Sequence, residues 1–409
     1  MKRQHCGFLL LIIVFLISAC SSRSGPPGYA FRVFQENGVT IAETTGGPKY
    51  DGELFVYEQE LVLFENPDIE ESILFRPLSF TVDQNGYFYV VDSGDKRIAV
   101  FDPEGNFSHS FGRGGDGPGE FTSVNLQYVH DGIASIWDYN HQRLTRFRTD
   151  GTLLDVITSP DRSRSVTGIY LTSEGNRVLL ASTGHQPESG FLLDNARAII
   201  TDPVGDTLAT VETPWTITGF SIPSNPTAWS RVEFTGDPII QYHPEYGILA
   251  TTGGTPDISL YSAAGVLSRQ IRVDLEPEPV SEEERRRIIE IADGWADRAS
   301  GPSRARSKER RDALKILEYK AFWEDVQVDQ NGYFWLRIPE MYESYRESGG
   351  TLYRVLSPEG EYLGDTRWPS ISGTPGDGRL FTRESDEETG QTRLVVYRIR
   401  PAVEGLRFP

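Results

Sequence analysis

Residues 80–121 read FTVDQNGYFYVVDSGDKRIAVFDPEGNFSHSFGRGGDGPGEF. Four short runs rich in apolar and β-branched residues lie within it, at 80–82, 87–91, 98–101 and 107–111. Between them stand the turn-formers Asp83-Gln84-Asn85-Gly86, the polar residues 92–97, and Asp102-Pro103-Glu104-Gly105. The spacing predicts four antiparallel strands joined by tight turns. One such meander leaves two sheet faces and two edges open, so it needs neighbours of its own kind.

Those neighbours are present. Asp329-Gln330-Asn331-Gly332-Tyr333-Phe334 repeats residues 83–88 letter for letter. The second hairpin, an aromatic or apolar residue before a polar turn and a further apolar residue, recurs more loosely at 101–107, 147–154, 200–208, 261–267 and 355–363. A sixth copy begins at Gly378 and ends without its last strand, while residues 54–64, ahead of the first repeat, offer one. The expected fold class is therefore all-β: a six-bladed β-propeller closed by an N-terminal strand, since a borrowed strand removes an exposed edge.

The pattern from Val82 to Phe121 resembles the NHL-type repeat of six-bladed β-propellers. The strand-ending Asp92, the Arg97 five residues on, and the Phe-Gly-x-x-Gly-x-Gly-Pro-Gly-x-Phe ending carry the likeness. The resemblance implies the architecture over roughly residues 54–400, whereas activity stays open, because this fold carries binding modules, lyases and lactonases alike.

The first twenty residues are a different kind of signal. Lys2 and Arg3 precede an apolar run at 8–17, too short to span a bilayer comfortably, and Ile17-Ser18-Ala19-Cys20 closes it with small residues. This resembles the lipobox of bacterial lipoproteins, which implies a signal peptide over 1–19, acylation of Cys20 and a membrane partner through that lipid. Ser21 at the next position implies the outer membrane where the cell has one, and several acyl chains hold where a single one does not. Residues 20–45 are expected to be the lipidated N-terminus and tether, and 46–409 the propeller. With Cys6 removed and Cys20 acylated, the mature body has neither disulfide nor free thiol, so thiol catalysis is excluded.

Net charge is −19, and loss of Lys2 and Arg3 makes it −21. That excludes nucleic acid as a partner, which demands a positive footprint, and a strongly acidic body is repelled by an anionic membrane surface.

Two interruptions break the repeat spacing, 214–236 and a helical insertion at 276–322 between blades 4 and 5. In a four-stranded blade both connect a last strand to the next first strand, so both emerge on one face of the ring. The glycine-rich loop 112–119 makes the same connection, and the loops 138–143 and 339–346 open on that side too. The opposite face keeps short turns, so binding is expected at the elaborated one. In the insertion, Ser281-Glu282-Glu283-Glu284 forms a capping box before Ile288, Ile291, Ala292 and Trp295, and the apolar spacing of Leu314, Leu317 and Ala321 suggests a second helix over 307–322. From Glu282 to Lys320 there are eleven Lys/Arg and nine Asp/Glu, a positive island on an acidic chain. A helical pair laid across the ring mouth, a mobile lid and a partner-docking helix all fit this segment.

The loop 112–119 lacks the Lys-Ser/Thr ending of a phosphate cradle and opens no helix, so an inter-blade loop is its simpler reading. Asp92 with Arg97 and Asp138 with Arg143 repeat one spacing, which favours structural pairs. The binding residues expected on the loop-rich face are Arg113, Trp137, Tyr139, His141, Arg143, Tyr342, Tyr345 and Arg346, a set rich in aromatics and arginine that suits a protein, peptide or glycan ligand. No cofactor is expected. The rival reading is a divalent-metal-dependent hydrolase or lyase in the central channel, with Asn125, Glu324 and Asp325 as ligands and Gln127, Gln241 and Gln327 as further liners; a hard cation usually wants more carboxylates. A third is a scaffold for envelope assembly. The preferred expectation is an extracytoplasmic, membrane-anchored binding propeller facing the periplasm or cell surface.

Overall fold

The computed structural model describes residues 26–63, 68–160, 166–182, 184, 186–188, 190–222, 225–341, 348–370, 373–385 and 392–408. The expected leader and the Cys20 acylation site lie outside them.

Local chemistry starts each repeat. The Asp83 carboxylate accepts the backbone N–H groups of Asn85 at 2.8 Å and Tyr87 at 3.0 Å, and the Tyr89 hydroxyl at 3.1 Å. Asp329 repeats this with the N–H groups of Asn331 at 2.9 Å and Tyr333 at 3.0 Å, and with Trp335 Nε1 at 3.0 Å. Gly86 and Gly332 take φ of 84° and 83°, the left-handed conformation these turns require. One aspartate thus fixes the turn and orients an aromatic six residues on.

The chain opens with a hairpin, β1 (Ala30–Glu36) and β2 (Val39–Thr45), followed by β3 (Phe55–Val62). The first sheet is β4 (Pro77–Val82), β5 (Phe88–Asp92), β6 (Arg97–Phe101) and β7 (Phe107–Phe111). A short parallel ladder of β8 (Arg113–Gly114) and β9 (Glu120–Phe121) leads to the second, β10 (Asn125–His130), β11 (Ile133–Asp138), β12 (Arg143–Arg148) and β13 (Leu153–Thr158). The third begins with β14 (Val166–Leu171) and β15 (Arg177–Ser182), is interrupted by the hairpin β16 (Gln186–Glu188) and β17 (Phe191–Asp194), and resumes with β18 (Ala196–Thr201) and β19 (Thr207–Glu212). A second outlying hairpin, β20 (Thr216–Ile222) and β21 (Asn225–Arg231), precedes the fourth sheet, β22 (Ile239–His243), β23 (Gly247–Thr251), β24 (Asp257–Tyr261) and β25 (Leu267–Val273). After helices α1 (Glu282–Arg298) and α2 (Pro302–Asp312) comes the fifth, β26 (Asp325–Val328), β27 (Phe334–Arg337), β28 (Leu352–Leu356) and β29 (Tyr362–Arg367). The sixth has β30 (Gly373–Gly376), β31 (Arg379–Ser385) and β32 (Thr392–Pro401), with β3 antiparallel to β32 at its edge.

Six apolar seams join these sheets in order. Val91 and Ile98 meet Ile136 and Phe147; Trp137 and Leu144 meet Val166 and Leu179; Ile200 and Val211 meet Tyr242 and Ile248. Ile258 and Ile271 meet Trp323 and Phe334; Trp335 and Tyr353 meet Phe55 and Ile399; Phe381 and Val396 meet Phe80 and Val90. The last of these joins the sixth sheet to the first, so the seams form a circle. Alternation along each strand places successive side chains in opposite seams: Phe334 and Leu336 face the fourth sheet, Trp335 the sixth. Each fully buried side chain of this kind contributes roughly 1.5–3 kcal/mol. The chain is mostly β and its fold is a propeller.

Residues 30–62 run along the outside of the ring. β2 pairs in parallel with β25 on the fourth sheet. Lys49, Tyr50 and Leu54 then donate backbone N–H groups to the carbonyls of Tyr362, Leu363 and Asp365 on the fifth, before β3 joins the sixth.

The insertion departs from its sequence pattern in one place. The capping box at Ser281 and Glu284 forms and starts α1. The second helix ends at Asp312, so residues 313–322, expected to be helical, are not helical. Pro302 sets the start of α2 five residues early, and the chain beyond it pairs with the segment before α1: Val280 N–H donates to Glu318 O at 2.9 Å and Lys320 N–H to Glu278 O at 2.8 Å. Leu314 and Ile316 still pack against Phe234, Val280, Ile288 and Met341.

Candidate binding face

The connections that leave β7 for β9, and those that leave β11 for β12, lie together on one face. At their root, Asp138 at the end of β11 accepts N–H bonds from Thr122 at 2.9 Å and from Asn140 and His141 at 3.1 Å. Burial opposes its ionisation, yet the donors of Thr122, His141 and Ser123 hold the carboxyl below the usual range. At the end of β5 the Asp92 carboxylate likewise accepts backbone N–H groups, from Phe75 at 3.1 Å and Arg76 at 2.9 Å. The arginine five residues on completes the brace. Arg143 donates to the carbonyls of Asp116 and Gly117 at 2.9 Å and of Glu120 at 2.5 Å, as Arg97 donates to those of Glu71 and Ile73 at 2.6 Å.

Arg143 therefore holds the glycine-rich loop and is not free for a ligand. Arg113 pairs with Glu120 at 2.7 Å but is 78% exposed at its side chain, and Tyr139 is also exposed. His141 bridges Asp138 at 2.8 Å through Nδ1 and the exposed Asp116 at 2.9 Å through Nε2. The structure brings Arg113, His141 and Arg143 together around one loop. Trp137, expected among them, is fully buried in the seam between the second and third sheets, because its position on β11 turns it inward. Tyr342, Tyr345 and Arg346 lie outside the described residues.

A more open site stands above the third and fourth sheets. The hairpins β16–β17 and β20–β21 join through β17 and β20 into a four-stranded sheet standing off the ring. Where it meets the ring there is a cleft of about 330 Å³ whose polar wall includes Ser182, Asp194, Asn195, Thr218, Arg231 and Asp237. Arg231 pairs with Asp237 at 3.0 Å. A wider groove on the outer side of the same sheet exposes Trp215 at 41% and Tyr319 at 47%. These residues escape a repeat-based reading of the sequence. The signal that could find them is the overlong gap 183–195 inside the third repeat, where Pro187, Gly190 and a short apolar run mark a hairpin.

Amides link the innermost strands. Gln241 Nε2 donates to Val326 O at 2.7 Å and Gln327 Nε2 to Gly373 O at 3.4 Å, each tying one innermost strand to the next. Tyr128, Tyr170 and Tyr242 gather behind them with ring centroids 5.8 and 5.4 Å apart, and burial pushes the Tyr170 phenol up to about 12. Of the expected metal ligands, Asn125 is exposed on the second sheet, three sheets round the ring from Glu324 and Asp325. Glu324 pairs with Arg337 at 3.2 Å, and burial raises the Asp325 carboxyl against the pull of Arg337. Among the described residues no group of three or more His, Cys, Asp or Glu is placed to hold a metal ion, and no helix is long and apolar enough to cross a membrane.

Residues 69–174 match the model of a family described as a 6-bladed beta-propeller. No curated protein matches the chain. Among solved structures, similarity extends to a member of the duf4221 family from Bacteroides vulgatus, with 13% identity, TM-score 0.45, and 86% of this chain and 99% of that one covered. Virginiamycin B lyase from Staphylococcus aureus is similar at 11% identity and TM-score 0.37, with 83% and 99% covered. A calcium-binding protein, regucalcin, from Agrobacterium tumefaciens is similar at 10% identity and TM-score 0.36, with 85% and 95% covered. Likenesses this distant speak to neither ligand nor activity.

Proposed function

We propose that this chain is a membrane-anchored, extracytoplasmic binding propeller of the NHL type, held by lipid on Cys20, its ring closed by β3 and its ligand met on the elaborated face. The leader pattern ending at Cys20 supports the anchor and, with Ser21, an outer-membrane site facing the periplasm or cell surface. The helical insertion between the fourth and fifth sheets belongs to the same face.

One observation carries the binding role. The accessory sheet, built from two hairpins that leave the third sheet and its connection to the fourth, adds nothing to the ring seams and walls a polar cleft of about 330 Å³ beside exposed Trp215 and Tyr319. A rigid ring carrying such an addition on one side has the form of a recognition surface, with aromatic anchors beside charged groups. A protein, peptide or glycan fits it, and Arg113, Tyr139 and His141 are proposed as further contacts on the loop-rich face.

Photo-crosslinking residues placed at Trp215 and Tyr319, with Glu104 and Asp150 on the short-turn face as comparison, test this in the native envelope. Adducts from the first pair and none from the second are expected. Equal yields from both faces, or none from either, would sink the proposal. Labelling with a radiolabelled fatty acid, lost on Cys20→Ser, tests the anchor separately.

A further inference from the structure

The net charge of the chain hides a segregation that its structure exposes. Some cations of the insertion are neutralised locally: Arg287 pairs with Glu290 at 3.3 Å, Arg311 with Asp293 at 2.5 Å, and Lys320 with Glu284 at 2.7 Å. Arg298, Arg304, Arg306, Lys308 and Arg310 form no ion pair or side-chain hydrogen bond among the described residues. Four of them sit on α2 within seven residues. None of the described side chains of that helix is buried. A helix polar on every side has no core of its own to join, and this one is held by α1 and the Arg311–Asp293 pair.

Beside these cations stands an exposed indole. Trp295, on α1, is 57% exposed and borders the same recess as Arg310, over an apolar floor that includes Ile291 and Leu314. Ile289 on the same helix is 42% exposed. Arginine and lysine in excess beside a tryptophan that keeps one side wet and one side apolar is the composition of an element lying at a lipid–water interface. The acidic remainder of the molecule does not cancel it, because fields fade over about 8 Å at physiological salt.

We propose that α2 and the Trp295 edge of α1 form a docking surface for the headgroup layer of a bilayer containing anionic phospholipid. The Lys and Arg side chains meet lipid phosphates and Trp295 enters the interface, so that the elaborated face is turned toward the membrane. This goes beyond the proposed lipid anchor and does not require it: an anchor at Cys20 limits how far the body strays, whereas this surface sets how the body is oriented.

Every described strand, seam and helix lies within residues 26–408, so a chain beginning at Ser21 keeps all of them and has no Cys20 lipid to confuse the result. Flotation of that chain with phosphatidylcholine vesicles, with and without a phosphatidylglycerol fraction, tests the proposal. Binding at least about tenfold tighter to the anionic vesicles is expected, and it should fade as salt rises. Joint replacement of Arg304, Arg306, Lys308 and Arg310 by Gln should abolish the preference, and replacement of the three arginines by Lys should keep it. Trp295→Ala should weaken binding several-fold and remove a blue shift in tryptophan emission on vesicle addition. Unchanged circular dichroism and melting in the Gln variant guard against misfolding. Equal binding to both vesicles, or an anionic preference that survives the Gln variant, would overturn the proposal. So would retention on a polyglutamate resin with no vesicle binding, which would mark the surface as one for an acidic polypeptide.

Discussion

Asp329 shows how much one side chain decides. It is 2% exposed, accepts two turn N–H groups and the Trp335 indole, and burial pushes its carboxyl up to about 6. Its ordinary value is near 3.8. The folded state therefore holds a proton that the unfolded state has already released between those values, so this group's contribution is full below pH 3.8 and is lost as pH rises through about 6. Melting of the native chain against Asp329→Asn from pH 3.5 to 7 should show the native chain losing on the order of 3 kcal/mol relative to the variant across that window. A difference that does not change with pH would refute the assignment. Gly350 is a second test at this scale. Its φ is +155°, and a Cβ there would lie 1.6 Å from the Trp368 carbonyl oxygen, so Gly350→Ala should cost about 2–4 kcal/mol in denaturant unfolding. The role of Asp83 and Asp329 is legible in the sequence because both carboxylates serve donors within six residues. The fate of Trp137 is not, because an aromatic at a strand end is equally consistent with rim and seam until the neighbouring sheet is in place.

Among the elements, the glycine-rich loop owes its shape to a side chain outside it. Arg143→Ala removes the donor to three loop carbonyls, and the change should raise proteolysis within 112–119 several-fold while lowering stability by only roughly 1–2 kcal/mol. Limited digestion read by mass spectrometry, with melting in parallel, separates loosening of the loop from loss of the ring. The repeated Asp-x4-Arg spacing makes this brace readable in advance. The accessory sheet is not readable in the same way: β16 has only three residues, and the strands joined at its centre, β17 and β20, are separated by β18 and β19 of the ring. The end of the second helix is misread for another reason. Leu314 and Leu317 have helical spacing, but a non-helical segment pairing with residues 278–280 packs Leu314, with Ile316, against the same cluster.

At the scale of the whole molecule, the six-sheet count is written in the repeats, while the path of residues 30–62 around three of those sheets is not, because each contact there is made with residues hundreds of positions away. Removal of residues 1–45 takes the hairpin from an outer edge and should lower the melting temperature with the ring still monomeric. Removal of residues 1–62 takes β3 as well and bares β32, and the product should self-associate on size-exclusion chromatography. Monomeric behaviour of the longer deletion would show that the sixth sheet tolerates three strands. The pairing of β3 with β32 also has a temporal side. Glu60 and Arg398, joined across that pair, are 338 positions apart, so a chain made from its N-terminus must keep β3 waiting until nearly all the rest has been synthesised. Local hairpins can form early, but completion of the circle comes last and slowly, and a nascent or translocating chain spends that interval with an unsatisfied strand that any chaperone recognising extended polypeptide could shelter.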